Sequence, residues 1–298
     1  MKRKDFIKMF STTFAVASME FEAMGANKTE GIASAFNEKI ICSTCGTQYK
    51  ETTPRIDGCP ICNDDRQYVP ALGQAWTSLP LLKKSYSNNI TKIYDNLFEI
   101  RTTPKFAIGQ RAFLIITPGG NILWDCIALL DQPTIDFIKS KGGLKAIVFS
   151  HPHYFTTMNV WADEFNCPVV IHKYDQEWIF QSGNKISLWT GVEKQLWDGI
   201  SIINIGGHFP GSSILRVPFL SPEGTIFCGD TFQIGTSKKH ISVMYSYPNY
   251  IPVSLAEIKR IRKQVDQIRF DTVFGAFDNQ QILLTGKELL QSSLKKYV

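Results

Sequence analysis

From about residue 90 onward the chain alternates short apolar bursts with clusters of Gly, Pro and polar residues. Residues 97–101, 111–117 and 120–126 read as strands, the last two joined by a turn at Pro118-Gly119. A helix is expected over 132–141, with Asp131 as its cap, Pro133 in its first turn and Ile135 and Ile138 on one face; Gly142-Gly143 ends it. A buried strand at 144–149 runs into Ser150-His151-Pro152-His153, followed by a helix at 157–165 and a strand at 168–172. Further strands are expected at 201–205, 213–217, 224–228 and 272–274, with helices at 254–267 and 285–296. Mixed strands and helices with βαβ-like steps predict a layered α/β protein.

The first 89 residues follow a different pattern. Lys2, Arg3, Lys4 and Lys8 form a basic start, and the mostly apolar run 9–19 follows, as in the opening of an export signal. The stretch resembles the twin-arginine type with Lys4 in place of the second arginine, and Ala23-Met24-Gly25 offers a small-x-small cleavage pattern. A plain N-terminal extension is the other reading of 1–38, so the expected location is periplasmic or cytoplasmic. Residues 39–65 carry four cysteines, and 66–89 read as linker, with Pro70, Gly73, Pro80 and the polar run 83–89.

Composition narrows the class. At 298 residues, 44% hydrophobic and 20% charged, the chain has ample material for a core, which excludes a disordered or collagenous protein. Seven cysteines are too few for a disulfide-dense scaffold. The long uncharged stretches 146–162 and 199–215 contain Pro, His and other polar residues, so neither reads as a membrane span. The net charge of +5 is spread without a run of like charge, and nothing marks a nucleic-acid groove.

Cys42-x-x-Cys45 and Cys59-x-x-Cys62 are separated by thirteen residues, which lets two tight turns offer four thiolates to one tetrahedral ion. Gly46 and Pro60 suit those turns. The intervening 47–58 is too polar to hold together without a metal. The details Cys-x-x-Cys-Gly-x-x-Tyr and Cys-Pro-x-Cys resemble rubredoxin-type knuckles, so zinc or iron is expected there. Four cysteines close the coordination shell, which makes this a structural or redox site rather than a hydrolytic one.

A second cluster carries the chemistry. His151 and His153 leave the end of a strand, His208 sits in Gly206-Gly207-His208-Phe209-Pro210-Gly211, and Asp230 follows a strand in Cys228-Gly229-Asp230-Thr231. With Asp125 at an earlier strand end, this order resembles the metallo-β-lactamase superfamily over residues 90–298. The resemblance implies an αββα sandwich with a metal site at one edge. It implies that His151, His153 and His208 form the first zinc site, that Asp230 is the carboxylate bridging two metals, and that Asp125 is a buried support. Two departures stand out. The family's His-x-His-x-Asp-His ends here in Phe155 and Thr156, and no histidine occurs near Phe274-Gly275-Ala276-Phe277. All ligands peculiar to a second metal are therefore missing, which points to a one-metal site or to lost catalysis.

Other candidates carry less. His172 is expected to be structural, His240 to lie in an exposed loop, and Cys126, Cys167 and Cys228 to be buried thiols, Cys228 sharing a face with Asp230 if the strand continues that far. Asp278 is a weak substitute carboxylate. The leading expectation is a zinc-dependent hydrolase of a small-molecule ester, thioester, lactone or amide, with Asp230 binding the metal or accepting a hydrogen bond. A catalytically weakened metal-binding protein that contacts a partner comes second, and an iron redox protein third.

Overall fold

The computed structural model describes residues 38–181 and 183–297, so the leader expected at 1–38 lies, apart from its last residue, outside the described residues. Among the described residues no helix is long and apolar enough to cross a membrane.

β1 (Ile40–Cys42) and β2 (Trp76–Ser78) form an antiparallel pair that closes the cysteine segment. A seven-stranded sheet follows in chain order: β3 (Ser87–Tyr94), β4 (Leu97–Thr103), β5 (Ala112–Ile115), β6 (Ile122–Trp124), β7 (Ala146–Val148), β8 (Val169–His172) and β9 (Ile186–Trp189). The pairs from β3 to β6 are antiparallel and those from β6 to β9 parallel. The second sheet starts with β10 (Glu193–Gln195), β11 (Ser201–Asn204), β12 (Ser213–Val217) and β13 (Thr225–Phe227). Two small ribbons come next, β14 (Gln233–Ile234) with β15 (Ile241–Ser242) and β16 (Met244–Ser246) with β17 (Ile251–Pro252). β18 (Thr272–Phe274) then pairs parallel to β13, and β19 (Gln281–Ile282) completes the sheet.

Alternation along the strands builds the layers. Phe113, Ile115, Ile122, Trp124, Val148 and Val170 point one way and pack against Ile202, Leu215, Val217, Phe227 and Phe274 of the other sheet. Leu114, Leu123, Ile147, Val169 and Ile171 point the other way, against Ile135 and Ile138 of the helix Gln132–Ser140 and Met158, Trp161 and Ala162 of the helix Met158–Phe165. On the far side, Ile203, Ile214, Ile226 and Val273 meet Ile258, Ile261 and Val265 of the helix Leu255–Gln267 and Leu290 of the helix Gly286–Leu294. Strands covered on both faces read as unbroken apolar runs, which is why they were visible in the sequence. The result is an αββα sandwich. At its centre Phe113, Phe227 and Phe274 lie with ring centroids 4.9–5.7 Å apart, each pair adding about 1 kcal/mol beyond burial.

The stretch 66–89 is structured. It holds β2, the helix Leu79–Ser85 with Leu82 buried, and the start of β3. Trp76 lies opposite Cys42, and Ser87 opposite Thr103. These strands form through distant partners, and β3, half exposed at a sheet edge, has too few apolar residues to show as a strand by itself.

Candidate metal centre

Parallel pairing puts the ends of β6 and β7 at one edge of the sandwich, and both site-bearing turns leave from there. After β7, Phe149 and Ser150 lead into His151, whose extended backbone caps a single 3-10 turn, Pro152–Tyr154, that carries His153. His208 arrives from the loop between β11 and β12, where Gly206 and Gly207 both take positive φ (73° and 84°). A Cβ on Gly207 would lie 3.1 Å from Ile261 Cδ1, so glycine lets this loop lie flat on the helix below. Asp230 follows β13 through Gly229, also at positive φ (50°).

One ligand atom from each of His151, His153, His208 and Asp230 falls within 4.8 Å of all the others. His208 Nε2 is 3.3 Å from His153 Nδ1, and His151 Nε2 is 3.6 Å from Asp230 Oδ2. Two ligands on a tetrahedral zinc, each about 2.05 Å from the ion, lie about 3.3 Å apart. The three histidines are each 1% exposed, and His151 Nε2, which faces Asp230 Oδ2, is buried with no hydrogen-bond partner. Folded proteins rarely leave such atoms unpaired unless an ion or water completes them. The donor set fits a metal ion.

The surroundings fix the ring tautomers. Ser150 Oγ is 2.9 Å from each carboxylate oxygen of Asp125 and 2.8 Å from His151 Nδ1. With Asp125 ionised, as beside a bound cation, the single serine proton goes to the carboxylate, so Nδ1–H donates to Oγ and leaves the Nε2 lone pair facing the cluster. His208 Nδ1–H donates to the carbonyl oxygen of Tyr245 at 2.8 Å, which leaves its Nε2 as the acceptor. Tyr154 O–H donates to Asp230 Oδ1 at 2.7 Å. Burial holds His151 and His153 well below the ordinary imidazole range and His208 down at about 4, so all three are neutral at pH 7. Burial also pushes Asp230 up to about 7 and Asp125 up to about 8, the latter against the lowering effect of Ser150's hydrogen bonds.

The four cysteines are buried and free of disulfides. Cys42 Sγ is 3.6 Å from Cys62 Sγ and Cys45 Sγ 3.5 Å from Cys59 Sγ. A disulfide would bring them to about 2.05 Å, whereas two thiolates on a tetrahedral zinc lie about 3.8 Å apart. Tyr49 Oη is 2.9 Å from Cys59 Sγ, and Gln74 Nε2 donates to Cys42 Sγ at 3.0 Å. The segment is docked on the sandwich. Gln48 N–H donates to Thr156 O at 3.1 Å, and Arg66 Nε donates to His208 O at 2.7 Å.

The remaining candidates fall elsewhere. Cys228 and Asp230 do not share a face: β13 ends at Phe227 and the chain turns at Gly229. Cys228 therefore donates to the carbonyl oxygens of Phe232 and Phe274 in the outer core. Phe155 belongs to the helix-side core beside Phe149, and Ala276 lies in the same core. Asp278 is 63% exposed and ion-paired with Arg101. His172 accepts from Tyr174 N–H and bonds Gly191 O, a structural role, and His240 is exposed beside Lys296. Sequence reasoning missed Ser150, Tyr154, Tyr245 and Arg66. Ser150 and Tyr154 flank the two histidines and were open to suspicion, but nothing local marks Arg66 or Tyr245.

No protein-family model matches the chain. A solved structure of the metallo-β-lactamase DIM-1 superposes with a TM-score of 0.53, covering 72% of this chain and 100% of that one at 14% identity. The mono-zinc form of the metallo-β-lactamase FIM-1 from Pseudomonas aeruginosa does so with a TM-score of 0.51, covering 70% and 95% at 13% identity. A metallo-β-lactamase from Erythrobacter litoralis gives 0.51 over 70% and 96% at 12% identity. Identity that low shows the fold. The Uncharacterized protein YmaE of Bacillus subtilis (strain 168) is 37% identical over 261 residues, 87% of this chain and 95% of that protein. The chain therefore has the metallo-β-lactamase fold and belongs to the protein family of Bacillus subtilis YmaE.

Proposed function

We propose that this protein is a metal-dependent hydrolase with one catalytic metal site on His151, His153 and His208, Asp230 standing beside the open fourth position, and a separate structural metal on Cys42, Cys45, Cys59 and Cys62. The observation that carries the reading is the approach of four buried ligand atoms to within 4.8 Å, three of them neutral imidazole nitrogens. Zinc suits both donor sets; when bound at the histidines it supplies Lewis acidity and a water activated at neutral pH.

The chain's own groups do the rest. The Asp125 carboxylate, acting through Ser150, holds the His151 ring with Nε2 inward, and Tyr245 does the same for His208. Asp230 keeps Oδ2 toward the cluster, where it can take up a proton released during attack. A groove of about 390 Å³, lined by Arg66, Gly207, His208, Phe209, Tyr245 and Val253, touches the cluster at His208 alone and matches a small ester, thioester, lactone or amide in size.

The test joins metal analysis to turnover. Purified protein should hold two zinc per chain without colour and hydrolyse activated esters or lactones, and His208→Ala should remove one metal equivalent and the activity. Activity that survives His208→Ala would sink the hydrolase reading. Metal at the histidines without turnover would put the metal-binding reading in its place, and a red protein would point to iron in the cysteine cage.

A further inference from the structure

A carboxylate has two oxygens and about four acceptor sites, and each buried oxygen needs a partner. In the two-metal arrangement that the family resemblance implies, the second ion would partner one oxygen of Asp230. The positions that would hold such an ion are occupied otherwise here. Phe155 is 3% exposed in an apolar cluster, and Ala276 lies in the same cluster. The carbonyl oxygen of Thr156 accepts from Gln48 N–H, and its Cγ2 stands 3.5 Å from where a Cβ on Gly46 would be. Asp230 is nevertheless only 6% exposed.

We propose that Tyr154 takes the place of a second metal ion: its hydroxyl holds Asp230 Oδ1 and so positions Oδ2 for a one-metal centre. The proposal rests on reading His151, His153, His208 and Asp230 as a metal site. The Tyr154–Asp230 bond, at 2.7 Å, is the one hydrogen bond that the Asp230 side chain receives among the described residues. Oδ2 is left facing His151 Nε2. Tyr154 is well placed to hold its partner still. It is fully buried, belongs to the same 3-10 turn as His153, and sets its ring edge-on to His151 with centroids 4.4 Å apart. The phenol thus offers a neutral donor where a dinuclear site would place a cation. Tyr154 is a positioning residue, acting on the metal through Asp230.

Cobalt titration of the full chain, with the cysteine cage first filled with zinc, tests this. Cobalt on the histidines is followed by its visible d–d band. Tyr154→Phe should weaken cobalt binding by about 10- to 100-fold and shift that band. Asp230→Asn should weaken binding as well, and adding Tyr154→Phe to Asp230→Asn should change nothing further. The double variant leaves no buried charge unpaired, so the comparison of Asp230→Asn with the double variant stands even where Tyr154→Phe alone fails to fold. Tyr154→Phe with wild-type affinity and an unshifted band would overturn the proposal, as would a threefold or greater further loss in the double variant. A wild-type protein that takes up no cobalt at the histidines would overturn the metal-site reading instead.

Discussion

Arg66 donates its Nε to the carbonyl oxygen of His208 at 2.7 Å, across 142 positions of chain. Its guanidinium is held by both carboxylate oxygens of Asp64 (2.9 and 3.0 Å) and lies 4.2 Å from the ring centroids of Phe209 and Tyr245. The residue just after the cysteine segment therefore clamps the loop that carries His208, a proposed metal ligand. Arg66→Ala should cost about 1.5–3 kcal/mol for the charged hydrogen bond, with the lost ring contact adding to it. Urea unfolding would measure this, and zinc affinity at the histidines should fall in parallel. A variant with wild-type stability and affinity would show the clamp to be idle.

Ser150→Ala removes the link between Asp125 and His151. Among the described residues it leaves the Asp125 carboxylate with only the N–H of residue 150, at 2.8 Å. Metal affinity at the histidines should drop about 10- to 100-fold. Competition with a colorimetric chelator reads the loss, and an unchanged affinity would mean that His151 needs no support from this side.

Replacing Cys42 and Cys45 together by Ser should remove one metal equivalent and raise protease cleavage within 39–66. Since Gln48 and Arg66 bridge that segment to Thr156 and His208, zinc affinity at the histidines should fall as well. Intact affinity there, with the cage empty, would show the two sites to be independent.

Phe155→Asp restores the residue that the family pattern calls for, yet the side chain would enter an apolar core beside Phe149. An unpaired buried carboxylate should cost about 4 kcal/mol or more. The expected outcome is a large drop in urea midpoint with no added metal. Uptake of a second ion at the histidine site would contradict it.

Asp175 gives a pH signature away from the metal ligands. Its Oδ1 accepts from Gly211 N–H at 2.7 Å, and burial pushes its carboxyl up to about 7. An unfolded aspartate titrates near about 4, so between about 4 and 7 the folded state binds the extra proton and stability falls as pH rises. Asp175→Asn keeps an acceptor and removes the charge. Its stability should exceed wild type at pH 8, with the difference shrinking toward pH 5. Parallel stability–pH curves for the two proteins would remove Asp175 as the cause.

Much of the molecule was legible in the linear chain because its signals are local. The two Cys-x-x-Cys pairs point to a metal by their spacing, the His-x-His turn and the Gly-Gly-His loop point to a site by their order and the superfamily they resemble, and strands covered on both faces declare themselves by unbroken apolar runs. What depended on distant partners was decided only by tertiary structure. β2 and β3 exist because Cys42 and Thr103 lie opposite Trp76 and Ser87. Asp125 reaches His151 through Ser150 because β6 and β7 run parallel, and Asp230 parts from Cys228 because the chain turns at Gly229. Tyr245 joins the site through its own backbone carbonyl, a contact open to any residue type, and Arg66 through a side chain that meets the His208 carbonyl across 142 positions, so neither is written in a motif. Side-chain identity sets which chemistry is available, and long-range packing selects which atoms meet.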